Sequence, residues 1–294
     1  MIRYCAGLLL AALAASASAT GAADWKVWVA RMDKAQQSLN YDATLIIDQD
    51  QRWDLIELSQ RIGPAGPEQQ AATLNGERRR FLRTAQGLSV LGPEGNRSLA
   101  KGPELVSDLV AEQLADTYEV SLEGPDRIAG RSAMRLLLHP NAEDRYGLRL
   151  WLDVDTGLPL RSERLRADGS VLERRMITRL TVLGFAGVVT RAVPSAGVHS
   201  QWSLPSGFRL MGDAIAVPGI VGARHWVVSD GVAWVSIYQL PASQGQPTAT
   251  GWRRGAIGQV SMRTGDSWVY VLGDLPNATL ERLGEAALAA ERQP

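Results

Sequence analysis

The chain has 294 residues, of which 45% are hydrophobic and 21% are charged, and its 31 basic residues balance its 31 acidic residues. This length suits two ordinary globular domains, and the composition is that of a folded globular protein rather than a disordered one. Because the net charge is zero, charge alone gives no attraction to nucleic acid or to an anionic membrane surface.

The first residues are typical of a secretory signal peptide. Arg3 precedes an apolar run from Ala6 to Ala15, and two Ala-Ser-Ala triplets follow within residues 15–19. The run is too short to span a bilayer, which takes about 20 residues. We therefore expect residues 1–23 to be removed, with cleavage near 17–23, and the protein to reach the periplasm. Cys5 is lost with this segment, which excludes thiol chemistry in the mature chain.

A helix and a long series of strands are predicted next. Asp24 can cap a helix whose apolar residues Trp25, Trp28, Val29 and Met32 share one face. Short strand-like runs then alternate with turn residues, interrupted by a short helix in "PELVSDLVAEQLA" that starts with proline. This pattern predicts a large antiparallel sheet over residues 24–186.

Residues 187–200 lack a periodic pattern and are interpreted as a linker. The second unit, residues 201–294, is predicted to contain hairpins around Asp230-Gly231 and Gly265-Asp266. A closing helix follows, on which Leu280, Leu283 and Leu288 can face the sheet. The fold class is therefore α+β, with a smaller C-terminal α+β domain.

The sequence offers little support for catalysis. It lacks nucleophile-elbow, zinc-protease, phosphate-loop and dinucleotide motifs, so we expect no enzyme activity, no cofactor and no metal. Asp155-Thr156-Gly157 matches the triplet of aspartic proteases, which need two such carboxylates. A homodimeric protease using Asp155 stays open as a remote alternative, and a calcium loop at Asp153 and Asp155 as another. Leu158-Pro159 after the triplet favours a simple turn that leads into a strand.

A family resemblance is carried by the stretch "LRLWLDVDTGLPLRSERLRADGSVLERRMIT". It resembles the periplasmic RseB/MucB regulators and, more distantly, the lipoprotein carriers LolA and LolB. The supporting segments, in chain order, are "MDKAQQSLNYDATLI", "LNGERRRFLRTAQGLSVLGPEGN", "WSLPSGFRL", "VVSDGVAWVSIY" and "VYVLGDLPNATLERLGEAA". The connection "RIGPAGPEQQ" departs from the family pattern.

The resemblance implies a LolA-like half-barrel with an apolar hollow, followed by a domain that binds an anti-sigma factor. The protein would bind the periplasmic domain of an RseA/MucA-like anti-sigma factor and shield it from site-1 proteolysis. It would thereby restrain an extracytoplasmic-function sigma factor until lipid or lipopolysaccharide releases the complex. The alternative is a periplasmic lipid or lipoprotein carrier. Nucleic acid is not an expected partner, and a homo-oligomer stays open.

Two sets of site residues are predicted. Alternation along strands places apolar side chains on one wall of the hollow, and these candidates for lipid binding are Leu45, Ile47, Leu136, Leu138, Leu150 and Leu152. The candidates for binding the anti-sigma factor are Arg224, Trp234, Arg253 and Arg254.

Overall fold

The computed structural model describes residues 21–84, 87–92, 95–99, 111–187, 202–217, 219–245 and 251–291. The predicted signal peptide up to residue 20 and the predicted linker from residue 188 onward lie outside the described residues, as does most of the short helix predicted at residue 103.

Three helices are described: α1 (Gly21–Ser38), α2 (Ala111–Thr117) and α3 (Asn277–Glu291). The predicted apolar face of α1 is confirmed, because Trp25, Val29 and Met32 are all buried in a hydrophobic cluster. Trp28 lies at the margin of this cluster and is only partly buried. None of the described helices is both long and apolar enough to cross a membrane.

Within the described part of the chain, eleven antiparallel strands form the large sheet. They are β1 (Leu39–Gln49), β2 (Arg52–Gly63), β3 (Gly66–Thr73), β4 (Arg80–Thr84), β5 (Gly87–Gly92), β6 (Gly95–Leu99), β7 (Tyr118–Ile128), β8 (Arg131–Pro140), β9 (Gly147–Asp153), β10 (Pro159–Leu165) and β11 (Val171–Phe185). Their spatial order is β6-β5-β4-β3-β2-β1-β11-β10-β9-β8-β7. The sheet is thus two meanders, β1–β6 and β7–β11, joined where β1 pairs with β11.

Helices α1 and α2 cover one face of the second meander. Leu136 and Leu138 of β8 and Leu150 of β9 pack in the same cluster as Val29 and Met32 of α1. Burial of each such side chain contributes about 1.5–3 kcal/mol, so the helix layer is firmly attached here.

The remaining strands form a seven-stranded sheet in the C-terminal unit. They are β12 (Arg209–Leu210), β13 (Ile215–Ala216), β14 (Arg224–Ser229), β15 (Trp234–Pro241), β16 (Gly251–Arg254), β17 (Ile257–Thr264) and β18 (Ser267–Gly273). The order is β12-β14-β15-β18-β17-β16, with β13 also paired to β14. The predicted orientation of α3 is confirmed, since Leu280, Leu283 and Leu288 all pack against this sheet.

The predicted turns are confirmed between the strand pairs that they were expected to join. Asp168-Gly169 links β10 to β11, Asp230-Gly231 links β14 to β15, and Gly265-Asp266 links β17 to β18. Each glycine has positive φ, at 79°, 90° and 46° respectively, a conformation that glycine adopts without steric cost. The α+β class with antiparallel sheets is likewise confirmed. The short strands β12, β13 and β16 were not predicted.

Candidate functional site

The Asp155-Thr156-Gly157 stretch is a structural turn in the described chain. The carboxylate of Asp153, not of Asp155, accepts hydrogen bonds from the Thr156 amide (3.0 Å) and hydroxyl (2.6 Å). The Arg131 guanidinium donates to the same carboxylate at 2.9 Å. Asp155 keeps 79% of its side chain exposed. No group of three or more metal-ligating His, Cys, Asp or Glu side chains occurs among the described residues.

The six residues predicted to bind lipid fall into two environments. Leu136, Leu138, Leu150 and Leu152 are at most 4% exposed and pack beneath α1 and α2. Leu45 and Ile47 of β1 are only half-buried. The structure therefore covers four of the six with the helix layer, and lipid contact at all six stays a prediction.

A half-buried apolar row crosses the first meander beside Leu45. Directly paired residues on neighbouring strands point to the same face, and the row is formed by such pairs across β1–β5: Ala43, Leu58, Ala71, Phe81 and Val90. Apart from Ala43, which is buried, these side chains are partly exposed. Sequence reasoning missed this row because its members lie on five separate strands whose pairing register was unknown.

The two units meet through a fully buried ionic contact. Asp230, in the turn between β14 and β15, accepts hydrogen bonds from the Tyr118 hydroxyl (3.0 Å) and from Arg145 Nη1 (2.9 Å). Burial and the neighbouring charge of Asp230 raise the pKa of Tyr118 well above its ordinary value. The Tyr118 hydroxyl therefore stays protonated and donates its hydrogen bond to the Asp230 carboxylate.

A second contact connects the loop that follows β18 to the N-terminal unit. Arg164 of β10 donates to the Asp274 carboxylate and, at 3.2 Å, to the carbonyl of Val232. The other Asp274 oxygen accepts from the amide of Trp234 at 2.9 Å. Asp274 thus links the N-terminal sheet to the first residue of β15.

The hairpin turn between β16 and β17 makes a third contact. The Gly255 amide donates to Asp50 at 2.7 Å, and Arg254 pairs with Asp54 at 2.9 Å. Beside this turn lies an open cleft of about 360 Å³, lined by Asp50, Arg52, Arg253 and Arg254. The lining has three guanidinium groups and one carboxylate, but Arg254 is paired with Asp54 and Arg253 donates to the carbonyls of Ala256 and Leu275 and to Asn277. An anionic or acceptor-rich ligand in the cleft would share these donors.

The four residues predicted to bind a protein partner are only partly brought together. Arg253 and Arg254 share the cleft, and Trp234 lies at the junction of the two units, where its amide contacts Asp274. Arg224 is exposed at the other end of the β14–β15 pair, opposite Gln239, whereas Trp234 pairs with Ser229. The structure therefore brings Arg253 and Arg254 together and separates Arg224 from them, and the role of all four as an interface stays a prediction.

One histidine of the C-terminal unit is fully buried. His225 is 0% exposed and stacks on Tyr238, with ring centroids 4.2 Å apart and an interplanar angle of 6°. Neither of its ring nitrogens has a hydrogen-bond partner among the described residues. Desolvation by burial lowers its pKa from 6.5 to about 4, so the ring is neutral in the folded protein.

Comparison with known proteins gives a consistent result over both units. The MucB/RseB N-terminal domain profile matches residues 24–199, and the MucB/RseB C-terminal domain profile matches residues 196–287. The sigma factor AlgU regulatory protein MucB of Pseudomonas aeruginosa is 30% identical over 302 residues, covering 94% of both chains. The sigma-E factor regulatory protein RseB of Escherichia coli is 24% identical over 306 residues, covering 95% of this chain and 93% of the relative.

Solved structures agree with these matches. The Pseudomonas aeruginosa MucA/MucB complex superposes with a TM-score of 0.66 and 27% identity, covering 89% of this chain and 97% of the other. MucB in complex with MucA(peri) gives a TM-score of 0.61 and 25% identity, covering 90% and 97%.

Proposed function

The chain belongs to the MucB/RseB family, and on that premise we propose that it is a periplasmic regulator that binds an anti-sigma factor. Its partner is the periplasmic segment of an RseA/MucA-like anti-sigma factor that spans the inner membrane. The observation that carries the proposal is the match of both domains, in order, to proteins named as sigma-factor regulators. A homologous MucB has also been solved with MucA.

The regulation needs binding only, without catalysis. A bound anti-sigma segment is shielded from site-1 protease, and the sigma factor stays sequestered while the segment is covered. Stable protein interfaces bury roughly 1,200–2,000 Å² in total, an area that this two-unit chain offers readily. Loss of the regulator exposes the segment and frees the sigma factor.

The cleft beside the β16–β17 turn is the proposed contact region for the anti-sigma segment. Arg253 and Arg254 would provide donors for acidic side chains and backbone carbonyls. Trp234 is included as an aromatic candidate because its amide bonds Asp274, and the next residue, Leu275, accepts a hydrogen bond from Arg253. Tryptophan and arginine are the residue types that most often dominate the binding energy of an interface. This chemistry supports a partner segment that is acidic and partly apolar.

The apolar row of the first meander supports a second ligand of lipid type. Its side chains, together with Leu45 and Ile47, form a partly exposed apolar surface that suits acyl chains better than polar ligands. We propose that lipid, or the acyl part of lipopolysaccharide, binds on this side and weakens the hold on the anti-sigma segment. By linkage, the bound segment weakens lipid binding by the same factor.

Binding of the periplasmic segment of the same organism's anti-sigma factor to the purified protein tests the proposal, together with digestion of that segment by site-1 protease. We expect saturable binding and slower cleavage when the regulator is present. Arg254→Glu should weaken binding by tenfold or more, whereas Arg127→Glu, which makes the same charge change at an exposed side chain of the edge strand β7, should not. Absence of binding by the wild-type protein would refute the function.

The alternative of a lipid or lipoprotein carrier is favoured by the apolar row alone. A carrier transfers lipoprotein from inner-membrane vesicles to a soluble acceptor, and such transfer by this protein would support it. The extensive contact between the two units gives a carrier no evident advantage, and we therefore prefer the regulator.

A further inference from the structure

One turn of the C-terminal sheet inserts a side chain into the core of the N-terminal unit. Residues 229–233, here called the docking turn, connect β14 to β15. Val232 of this turn is 1% exposed and belongs to the cluster formed by α1, α2, β8 and β9. Among the described buried members of that cluster, Val232 is the one contributed by the C-terminal unit.

The docking turn is held in place by polar groups of both units. Asp230 Oδ1 accepts the amides of Val232 (2.9 Å) and Ala233 (2.7 Å), which fixes the shape of the turn. Its Oδ2 accepts from Tyr118 and Arg145 of the N-terminal unit. When the docking turn is seated, the Asp230 carboxylate has no exposed surface, and both of its oxygens accept hydrogen bonds. When the docking turn leaves, water replaces these hydrogen bonds. The Asp230 carboxylate is then solvated rather than buried without a partner.

The cluster that receives Val232 contains the apolar wall predicted to bind acyl chains. Leu136, Leu138, Leu150 and Leu152 are at most 4% exposed while the docking turn is seated. An acyl chain can reach them only if a member of the cluster withdraws, because protein cores are close-packed. Val232 lies between β14 and β15, so its withdrawal breaks the bonds of Asp230 to Tyr118 and Arg145 and the bond of Arg164 to the Val232 carbonyl. Val29 and Met32 lie within α1, so their removal disrupts the helix.

We propose that Val232 is a displaceable plug in an acyl-chain site of the N-terminal unit, so that seating of the docking turn and acyl binding exclude one another. This inference rests on the proposed function and specifies its regulation. Acyl binding unseats the turn and releases Asp230 from Tyr118 and Arg145. The neighbouring Trp234, at the proposed contact region for the anti-sigma segment, then loses its fixed position.

Titration with dodecanoate, kept below its micelle concentration, tests the plug directly. If the seated form predominates, Val232→Ala raises the unseated fraction and should tighten dodecanoate binding about tenfold, which equals about 1.4 kcal/mol. The affinity for the anti-sigma segment should change little, while dodecanoate should release that segment at about tenfold lower concentration. Val221→Ala, which makes the same change at a side chain that is 85% exposed, is the matched control.

A disulfide between the units provides the opposite perturbation. A Cβ placed on Gly207 lies 3.6 Å from the Thr117 Cβ, within the 3.5–4.5 Å range that disulfides span. Thr117→Cys with Gly207→Cys, in a Cys5→Ser background, should lock the docked state when oxidised. Oxidation should then weaken dodecanoate binding at least tenfold and prevent release of the segment. The reduced form of the same protein controls for any strain at Gly207, whose φ is 84°.

The outcomes separate the plug from the proposed function. If the wild type does not bind the anti-sigma segment, the regulatory function fails, but the dodecanoate affinities still decide whether Val232 is a plug. Equal dodecanoate affinity for wild type and Val232→Ala would overturn the plug, as would release of the segment from the oxidised disulfide variant. A wild type that does not bind dodecanoate would also overturn it. Asp230→Asn, which weakens the same seating without removing core volume, should reproduce the effect of Val232→Ala.

Discussion

Acidification should destabilise the C-terminal unit through His225. The residue is fully buried, its ring nitrogens have no partners among the described residues, and burial lowers its pKa from 6.5 to about 4. In the unfolded chain the imidazole takes up a proton near pH 6.5, whereas in the folded protein it resists protonation until about pH 4. The stabilising contribution is therefore complete above pH 6.5 and is lost as the pH falls towards 4.

The size of this loss follows from the two pKa values. Proton linkage between values of 6.5 and about 4 gives a loss of about 2 kcal/mol between pH 7.5 and pH 5, and a limit of about 3 kcal/mol below pH 4. His225→Phe preserves a flat ring against Tyr238 and removes the titrating group. This variant should lose about 2 kcal/mol less than the wild type over the same pH interval.

Urea unfolding followed by tryptophan fluorescence at pH 7.5 and pH 5 measures the effect. Trp202 and Trp226, whose ring centroids lie 5.5 Å apart, report on the C-terminal unit. His139→Phe alters an exposed histidine of β8 and should keep the pH response of the wild type. If His225→Phe shows the same loss between the two pH values as the wild type, the assigned protonation behaviour of His225 is wrong.

Three further predictions concern close contacts seen in the structure. Gly255→Ala should cost about 1 kcal/mol more than Gly265→Ala in thermal unfolding. Both glycines have positive φ, but only at Gly255 would the Cβ lie within 2.7–2.8 Å of the side-chain oxygens of Gln49 and Glu173, which must shift. Equal costs would contradict this. Gly157→Ala should likewise cost more than Gly169→Ala in urea unfolding. A Cβ on Gly157 would lie 2.5 Å from a carbonyl oxygen of α1, whereas no atom of the described residues would lie within 4 Å of a Cβ on Gly169. The same cost for both variants would refute this. Glu163→Gln should destabilise the protein by about 2 kcal/mol, less than the roughly 3–5 kcal/mol expected for a fully buried pair. The cost is smaller because the three arginines around Glu163 are partly exposed to water. An unchanged midpoint of urea unfolding would contradict this.

The order of elements could be predicted from sequence because local signals fix it. The Asp-Gly and Gly-Asp turns identified three hairpins, and the spacing of Trp25, Val29 and Met32 identified the buried face of α1. These features depend on residues close together in the chain. The family assignment succeeded for a related reason, since it rests on the order of such segments.

The contacts between the units could not be predicted in the same way. Asp230 and Val232 appeared in the sequence as ordinary turn residues. Nothing in the neighbouring sequence identified Tyr118 and Arg145 as the hydrogen-bond partners of Asp230. The paired residues are separated by 112 and 85 positions. Their meeting depends on the path of the whole chain, which local patterns do not specify. The short strands β12 and β13 were missed because two residues carry no measurable alternation.

The pairing of β1 with β11 has a consequence for the time course of folding. Leu39 pairs with Phe185 and Gln49 pairs with Glu173. The first strand in the chain, β1, can therefore complete its pairing only when the last strand of the sheet, β11, is present. Until then one edge of β1, with the consecutive apolar residues Leu45, Ile46 and Ile47, has free backbone donors and acceptors. Such edges pair readily with other chains, and long-range pairings form slowly. A chain truncated before residue 171 therefore presents an aggregation-prone strand, and pairing with β11 is what protects it.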